Sequence, residues 1–395
     1  MKDIGKNRRW IYYRIIKRRM DSTIRKIGRN KEATKMNLKT KIRGSLLGGA
    51  IGDALGYQIE FKRNIKEKEI TRFKEKGIIS DDTQMTLFTA NALIWRETQG
   101  KLRGIAMQPA QAIYLGYKDW LDTQNHTKGD NCISWIKEIP ELNVPRDPGN
   151  TCINALESGI QGTIEDPINN SKGCGTVMRV APIGLYLKNE KEAGTLAAEA
   201  SAITHGHPLG IIPSYVLASM INLIVYKEYD ILIALKESID GLLNDYNIFH
   251  PDAVSDFIKI INKAINLSNS DMTDQEAIHE LGEGWIAEEA LAIALYSCLK
   301  HSDSFENTIV CAVNHDGDSD STGAIAGNII GAFLGEDAIP NYYLDNLELK
   351  EIISEIAEDL ATPIPVSEYP NNNDEYWMSK YVFCHRDITK RKTLN

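Results

Sequence analysis

The segment from Asp316 to Ser321 constrains this chain more than any other, because it places three carboxylates at alternate positions just before a helix-like stretch of small residues. Carboxylates this dense repel one another unless a cation lies among them. The spacing excludes an EF-hand calcium loop, since Ser321 and Gly327 stand where that loop needs glycine and glutamate. We therefore expect a cation whose other ligands come from elsewhere in the chain.

A second acidic pair, Asp81 and Asp82, follows Ser80 far upstream. Ser80 is typical of a helix N-cap with acids in the first turn. Taken alone, either acidic segment could simply cap a helix, because carboxylates accept hydrogen bonds from its free N–H groups. Two such segments in one chain favour a shared cation site.

Residues 41–61 combine leucine and isoleucine at helical spacing with four glycines, which predicts a thin helix that neighbours can approach closely. Asp53 and Glu60 lie seven positions apart, so they would share one face of a continuous helix. A buried acid among apolar residues is costly without a partner, which makes both residues candidates for a site wall. The alternative is a solvated helix edge. The glycines of a later segment, residues 323–331, predict another closely packed helix.

Three further signals are weaker. Residues 171–187 contain a glycine-flanked turn whose N–H groups suit a phosphate, although a plain turn is the commoner origin of such a pattern. His205 and His207 lack a third soft ligand nearby, so His205 is expected to hydrogen-bond or stack against a ligand rather than to hold a metal. Residues 282–299 predict an amphipathic helix with Trp285 near its start, and Trp285 is expected either in the core or in contact with a ligand.

The net charge of −9 hides an asymmetry between a basic arm and an acidic body. Residues 1–43 hold 16 basic and 3 acidic side chains, which leaves 29 basic against 51 acidic ones in the rest. The arm is interpreted as a partly ordered extension, or as sequence upstream of the true start, in preference to a helix that binds a membrane surface or nucleic acid. No apolar run is expected to reach membrane-spanning length, so no membrane span is predicted.

The six cysteines form no C-x-x-C pair, which argues against a zinc site and a disulfide framework. A reducing, cytoplasmic location is the simple expectation. Helical periodicity recurs from residue 41 to about residue 360 without an internal repeat. We therefore predict one all-α domain over residues 41–363, preceded by a basic extension at 1–40 and followed by a peripheral segment at 364–395.

Six motifs in collinear order closely resemble the ADP-ribosylglycohydrolases, a family that includes the dinitrogenase-reductase-activating glycohydrolase and the ADP-ribosylhydrolases. The likeness covers roughly residues 41–363, and the set is specific although no single motif would be. The motifs are RGSLLGGAIGDALGYQIEF, SDDTQMT, GCGTVMRVAPIGL, ITHGHP, GEGWIAEEALAIA and AVNHDGDSDSTGAIAGNIIGAFLG. The resemblance implies an orthogonal all-α fold with two divalent metal ions, Mg²⁺ or Mn²⁺.

Matched residue by residue, the resemblance implies roles for the residues of these motifs. Glu60, Asp82 and Asp318 would be catalytic, with Glu60 beside the metals. The implied metal ligands are Ser80, Asp81, Asp82, Asp318, Asp320 and Ser321. The implied substrate contacts are Gly173, Cys174, Gly175, Thr176, His205 and Trp285. Two departures matter: Ser80 stands where the family has threonine, and Cys174 stands where many members have asparagine, so one substrate hydrogen bond is absent or made differently.

The implied reaction is hydrolysis of the glycosidic bond between ADP-ribose and an acceptor, with an arginine of a modified protein expected first. The two ions would orient the ribose hydroxyls and activate a water. Two alternatives stay open: a hydrolase of another linkage, on serine, a small molecule or nucleic acid, and a non-catalytic ADP-ribose-binding protein. The retained acids argue against the second, and the basic arm gives faint support to a nucleic-acid substrate.

Overall fold

The structure is a computed structural model that describes residues 36–61, 69–129, 132–244, 251–369 and 373–391. Within these ranges the chain is helical, and strand-like pairing is confined to isolated bridges between Gly77 and Leu347 and between Gly173 and Ile286. The predicted all-α class is confirmed. The predicted N-terminal extension lies outside the described residues except for residues 36–40.

Sixteen α-helices follow one another in the described ranges. They are α1 (Leu38–Tyr57), α2 (Asp81–Arg103), α3 (Pro109–Asn125), α4 (Asn150–Glu157), α5 (Ala181–Tyr186), α6 (Glu190–Ala202), α7 (Pro208–Lys227), α8 (Ile231–Asn244), α9 (Pro251–Ser268), α10 (Asp274–Leu281), α11 (Ala287–Lys300), α12 (Phe305–Val313), α13 (Ser319–Leu334), α14 (Asn341–Leu344), α15 (Lys350–Ala361) and α16 (Glu375–Tyr381). Short 3₁₀ helices connect some of them, at Trp135–Glu138, Pro140–Leu142, Cys174–Arg179, Glu336–Ala338 and Ile388–Lys390.

Helices α1 and α13 pack backbone to backbone and antiparallel, because glycines face each other across their interface. A Cβ on Gly44 would overlap the carbonyl oxygen of Gly331, and a Cβ on Gly52 would overlap that of Gly323. A third pair of glycines lies between these two. Both predicted glycine-rich helices are therefore found, each in contact with the other. This packing sets the end of α1 beside the acidic start of α13.

Helix α7 corrects the expectation that no apolar run reaches membrane-spanning length. Among the described residues it is the one helix long and apolar enough to cross a membrane, with a mean hydropathy of 1.8. However, 89% of its most apolar 18-residue window is buried inside the protein. Its composition therefore fits a core helix that is packed on all sides. His207 begins this helix, where its Nδ1 accepts a hydrogen bond from the N–H of Leu209 at 3.0 Å.

Two helix boundaries differ from the predicted ones, and both differences affect the site. Helix α1 ends at Tyr57, so Glu60 lies in the turn beyond it and not on one helical face with Asp53. The amphipathic stretch predicted from residue 282 becomes helical only at Ala287. Glycine conformations explain the delay, because Gly282 has a φ of 126° and Gly284 has a φ of 84°.

Gly52→Ala tests the close packing of α1 on α13. The added methyl group would overlap the backbone of α13, so we expect the free energy of unfolding to fall by about 1–3 kcal/mol. Gly241→Ala in α8 is the matched control, because its Cβ would meet nothing closer than the Tyr215 hydroxyl at 3.5 Å. Urea denaturation measures both variants. Equal losses in the two would contradict this account of the interface.

Candidate active site

The N-termini of α2 and α13 meet at a cluster of buried carboxylates. Ser80 caps α2 as predicted, since its Oγ accepts a hydrogen bond from the N–H of Asp82 at 3.2 Å. Asp318 caps α13, with Oδ1 accepting from the N–H of Ser321 at 3.3 Å. Four carboxylates at these two helix starts expose 6% or less of their surface: Asp81, Asp82, Asp318 and Asp320. The two predicted acidic segments are therefore neighbours in space.

Glu60 joins the cluster from the turn after α1. Carboxylate oxygens of Glu60, Asp318 and Asp320 all lie within 4.8 Å of one another. Burial, followed by the charges of Asp320 and Asp318, raises the pKa of Glu60 to about 10. Burial and the charge of Asp320 also raise the pKa of Asp82 well above its ordinary value. A cation among these carboxylates would relieve the repulsion that raises their pKa values.

Asp53 connects α1 to the start of α2. Its carboxylate accepts hydrogen bonds from the N–H of Ser80 at 3.0 Å and from the N–H of Thr83 at 3.1 Å. The Thr83 hydroxyl donates to the same carboxylate. Burial and the charge of Asp320 raise the pKa of Asp53 to about 7. Asp53 thus positions the first turn of α2, and with it the carboxylates of that turn.

Two buried carboxylate oxygens of this cluster lack a hydrogen-bond partner within the described part of the chain, namely Oδ1 of Asp82 and Oε2 of Glu60. Leaving such an atom unpaired in the interior costs free energy. Carboxylate and hydroxyl oxygens are the ligands that Mg²⁺ and Mn²⁺ prefer. The donor set therefore fits hard divalent cations, and the predicted ligand roles stay predictions that this geometry favours.

Cys174 faces the acid cluster. Its thiol donates a hydrogen bond to Oδ2 of Asp318 at 2.7 Å, and its N–H donates to the carbonyl of Trp285 at 3.2 Å. That N–H is therefore already engaged within the protein. Thr176 is fully buried, and its hydroxyl donates to the Gly210 carbonyl at 2.5 Å. Of the predicted phosphate turn, the Cys174 N–H and the Thr176 side chain are thus committed to the fold.

His205 lies beside this turn, with Nε2 3.3 Å from where a Cβ of Gly173 would stand. The Thr204 hydroxyl accepts a hydrogen bond from the buried Arg179 guanidinium at 2.7 Å and contacts Nδ1 of His205 at 2.8 Å. Arg179 thus holds the Thr204 hydroxyl, and through it the imidazole of His205, in place. Sequence reasoning missed this role of Arg179, which no local pattern marks.

An exposed aromatic pair lies next to the acids. Trp285 exposes 39% of its surface, which excludes the core alternative, and its indole N–H donates to Glu283 at 3.1 Å. The ring of Phe61 stacks on it with a centroid separation of 6.5 Å. Phe61 was not predicted, although its position directly after Glu60 is a signal that could have drawn attention to it.

One other group in the described ranges could offer metal ligands, formed by Asp274, His301 and Cys311. Nε2 of His301 hydrogen-bonds Oδ2 of Asp274 at 2.8 Å, and the Tyr296 hydroxyl donates to Oδ1 at 2.7 Å. The carboxylate of this group is therefore already satisfied, unlike those of the acid cluster.

Comparison with known proteins defines the class and then the family. The named relatives are hydrolases that act on ADP-ribosyl bonds, and this chain is an enzyme of that class. The family model described as ADP-ribosylglycohydrolase matches residues 34–369. The chain therefore belongs to the ADP-ribosylglycohydrolase family.

Similar proteins come from distant organisms. The ADP-ribosyl-[dinitrogen reductase] glycohydrolase of Rhodospirillum rubrum is 25% identical, over 78% of this chain and 90% of that protein. The human ADP-ribosylhydrolase ARH3 is 26% identical, over 81% of this chain and 93% of the relative. The ADP-ribosylarginine hydrolase Tri1 of Pseudomonas putida strain GB-1 is 23% identical, over 82% of this chain and 79% of that protein.

A solved structure supports the fold. A chain of an ADP-ribosylglycohydrolase-related protein complex superposes with a TM-score of 0.59 at 24% sequence identity, covering 82% of this chain and 98% of that one. At this identity the likeness concerns the fold alone.

The stability of the protein should depend on pH through His205. Burial, and then the positive charge of Arg179, lowers the pKa of His205 to about 3. Between an unfolded value of about 6.5 and about 3, the unfolded chain binds a proton that the folded chain does not, so this contribution is lost as pH falls. His205→Gln should reduce the slope of unfolding free energy against pH by up to ~1.4 kcal/mol per pH unit in this window. Identical slopes in urea denaturation would contradict the assignment.

Proposed function

We propose that this enzyme hydrolyses ADP-ribosylated arginine on proteins and that it does so with two divalent ions, Mg²⁺ or Mn²⁺. The observation that carries the metal proposal is the convergence of two helix N-termini on buried carboxylates, two of whose oxygens are unpartnered. The residues proposed to hold the ions are Ser80, Asp81, Asp82, Asp318, Asp320 and Ser321. When bound, such ions polarise the oxygen atoms of substrate and water as Lewis acids.

Glu60 is the proposed proton carrier. Its carboxylate oxygen lies within 4.8 Å of those of Asp318 and Asp320, so it stands beside the proposed ions. We propose that Glu60 gives a proton to the leaving nitrogen as the glycosidic bond breaks, or takes one from the attacking water. The carboxylates of Asp82 and Asp318 would stabilise the positive charge that develops on the ribose. The Cys174 thiol fixes the orientation of the Asp318 carboxylate by donating a hydrogen bond to it.

Two observations support arginine as the acceptor. The relative from Pseudomonas putida is named as an ADP-ribosylarginine hydrolase. In addition, Glu283 lies against the exposed ring of Trp285, with 3.1 Å between the indole nitrogen and the carboxylate. A carboxylate at the edge of an exposed aromatic ring suits a guanidinium, which stacks on the face of a ring and pairs with acids.

Purified protein with Mg²⁺ or Mn²⁺ should release ADP-ribose from ADP-ribosyl-arginine. Asp82→Asn and Asp318→Asn should each abolish turnover, because each removes charge from the proposed ion site, while the helical circular-dichroism signal stays intact. Mass spectrometry of a substrate panel with arginine, serine, small-molecule and nucleic-acid linkages distinguishes the alternative acceptors. Full activity in both variants would refute the proposed ion site, whereas turnover of another linkage alone would refute the acceptor.

The aromatic pair provides a second test. Trp285→Ala should raise KM for ADP-ribosyl-arginine several-fold with a smaller change in kcat, because the ring contacts bound substrate and not the reacting atoms. Phe383→Ala is the matched control, since Phe383 is also an exposed aromatic, at 67%, but lies in the C-terminal segment. Steady-state kinetics should show the control unchanged. An unaltered KM in Trp285→Ala would remove the ring from the substrate site.

A further inference from the structure

The C-terminal residues 373–391 fold back onto the helical body. The indole N–H of Trp377 donates to Oγ1 of Thr98 at 2.9 Å. The ammonium of Lys380, whose side chain is 1% exposed, pairs with Glu355 at 2.8 Å and also with Asp359. A buried charge needs such partners, so these contacts fix the position of the segment.

The same segment brings Cys384 against Cys132, although 252 positions separate them in the sequence. The Cys384 thiol donates to the backbone carbonyl of Cys132 at 2.9 Å and also hydrogen-bonds the Cys132 side chain. A neighbouring contact joins the same two segments, since Nδ1 of His385 hydrogen-bonds Glu138 at 2.8 Å. The two sulfur atoms are therefore kept next to each other by the fold.

The pair is also accessible. Cys132 is exposed and Cys384 is half-buried, whereas Cys152, Cys298 and Cys311 are buried. The sixth cysteine faces the acid cluster and donates to it. Thiol oxidation follows both access to solvent and thiolate character. The hydrogen bond from Cys384 lowers the pKa of the Cys132 thiol, which makes Cys132 the thiol that ionises first.

We propose that Cys132 and Cys384 form a reversible oxidation site at which a small-molecule disulfide, such as oxidised glutathione, converts the two thiols into one disulfide bond. The Cys132 thiolate attacks one sulfur of the small disulfide, forms a mixed disulfide and releases one thiolate. The Cys384 thiolate then attacks the Cys132 sulfur and releases the second thiolate. Two electrons pass to the small molecule, and the two cysteine protons go to solvent.

The bond would tie the C-terminal segment to the body through a loop of about 250 residues, which restricts the unfolded chain. The oxidised protein should therefore melt at a higher temperature than the reduced protein. This consequence is independent of the proposed hydrolase chemistry, because neither cysteine belongs to the acid cluster.

The test equilibrates the full-length protein with glutathione at different ratios of reduced to oxidised form, followed by an acid quench. In denaturant, the number of free thiols should fall from six to four. Mass spectrometry of a digest should show peptides that contain Cys132 and Cys384 joined to each other. The melting temperature should rise with oxidation and return after reduction.

Cys132→Ser and Cys384→Ser are matched controls, since each leaves one partner without the other. Each should lose both the linked peptides and the oxidation-dependent rise in melting temperature. A wild-type protein that keeps six thiols across the series would overturn the proposal, as would a linkage to any other cysteine. The peptide result on the wild-type protein decides the matter even if a variant fails to fold.

Discussion

The contact between the glycine faces of α1 and α13 is the interaction on which the site depends. Because the two backbones touch, the turn after α1 carries Glu60 to the start of α13. The same helix places Asp53 beside the start of α2, where its carboxylate accepts hydrogen bonds from two backbone N–H groups. Helix α1 therefore stands between the two acidic segments and brings both to one place, although more than two hundred residues separate them.

This arrangement places carboxylates that repel one another in the protein interior. Five carboxyl groups lie together in the interior, where burial raises the pKa of each and neighbouring charges raise the pKa of all but Asp320 further. The N-termini of the two helices offset part of that cost, since Asp318 caps α13 and Asp81 and Asp82 lie in the first turn of α2. A pair of divalent ions would neutralise the remaining repulsion among the carboxylates. This neutralisation is the physical link between the fold and the proposed hydrolysis. The aromatic pair and the glycine turn border the same cluster, where we propose that the substrate binds.

Features that depend on local pattern could be predicted from the sequence. The all-α class, the Ser80 cap and the close-packing glycines each follow from residue spacing within one segment. Contacts between distant segments could not be predicted in this way, such as the thiol of Cys174 on Asp318 or the stacking of Phe61 on Trp285. The predicted end of α1 was also wrong. The sequence pattern does not show whether Glu60 belongs to the last turn of the helix or to the turn beyond it.

Metal stoichiometry tests the central claim most directly. Protein freed of metal by chelation, then equilibrated with Mn²⁺ and desalted, can be analysed by elemental mass spectrometry. The account predicts about two ions per chain in the wild type and a clear loss in Asp320→Asn, with the helical circular-dichroism signal retained. A wild-type protein that binds no Mn²⁺, or a variant that binds as much as the wild type, would contradict it.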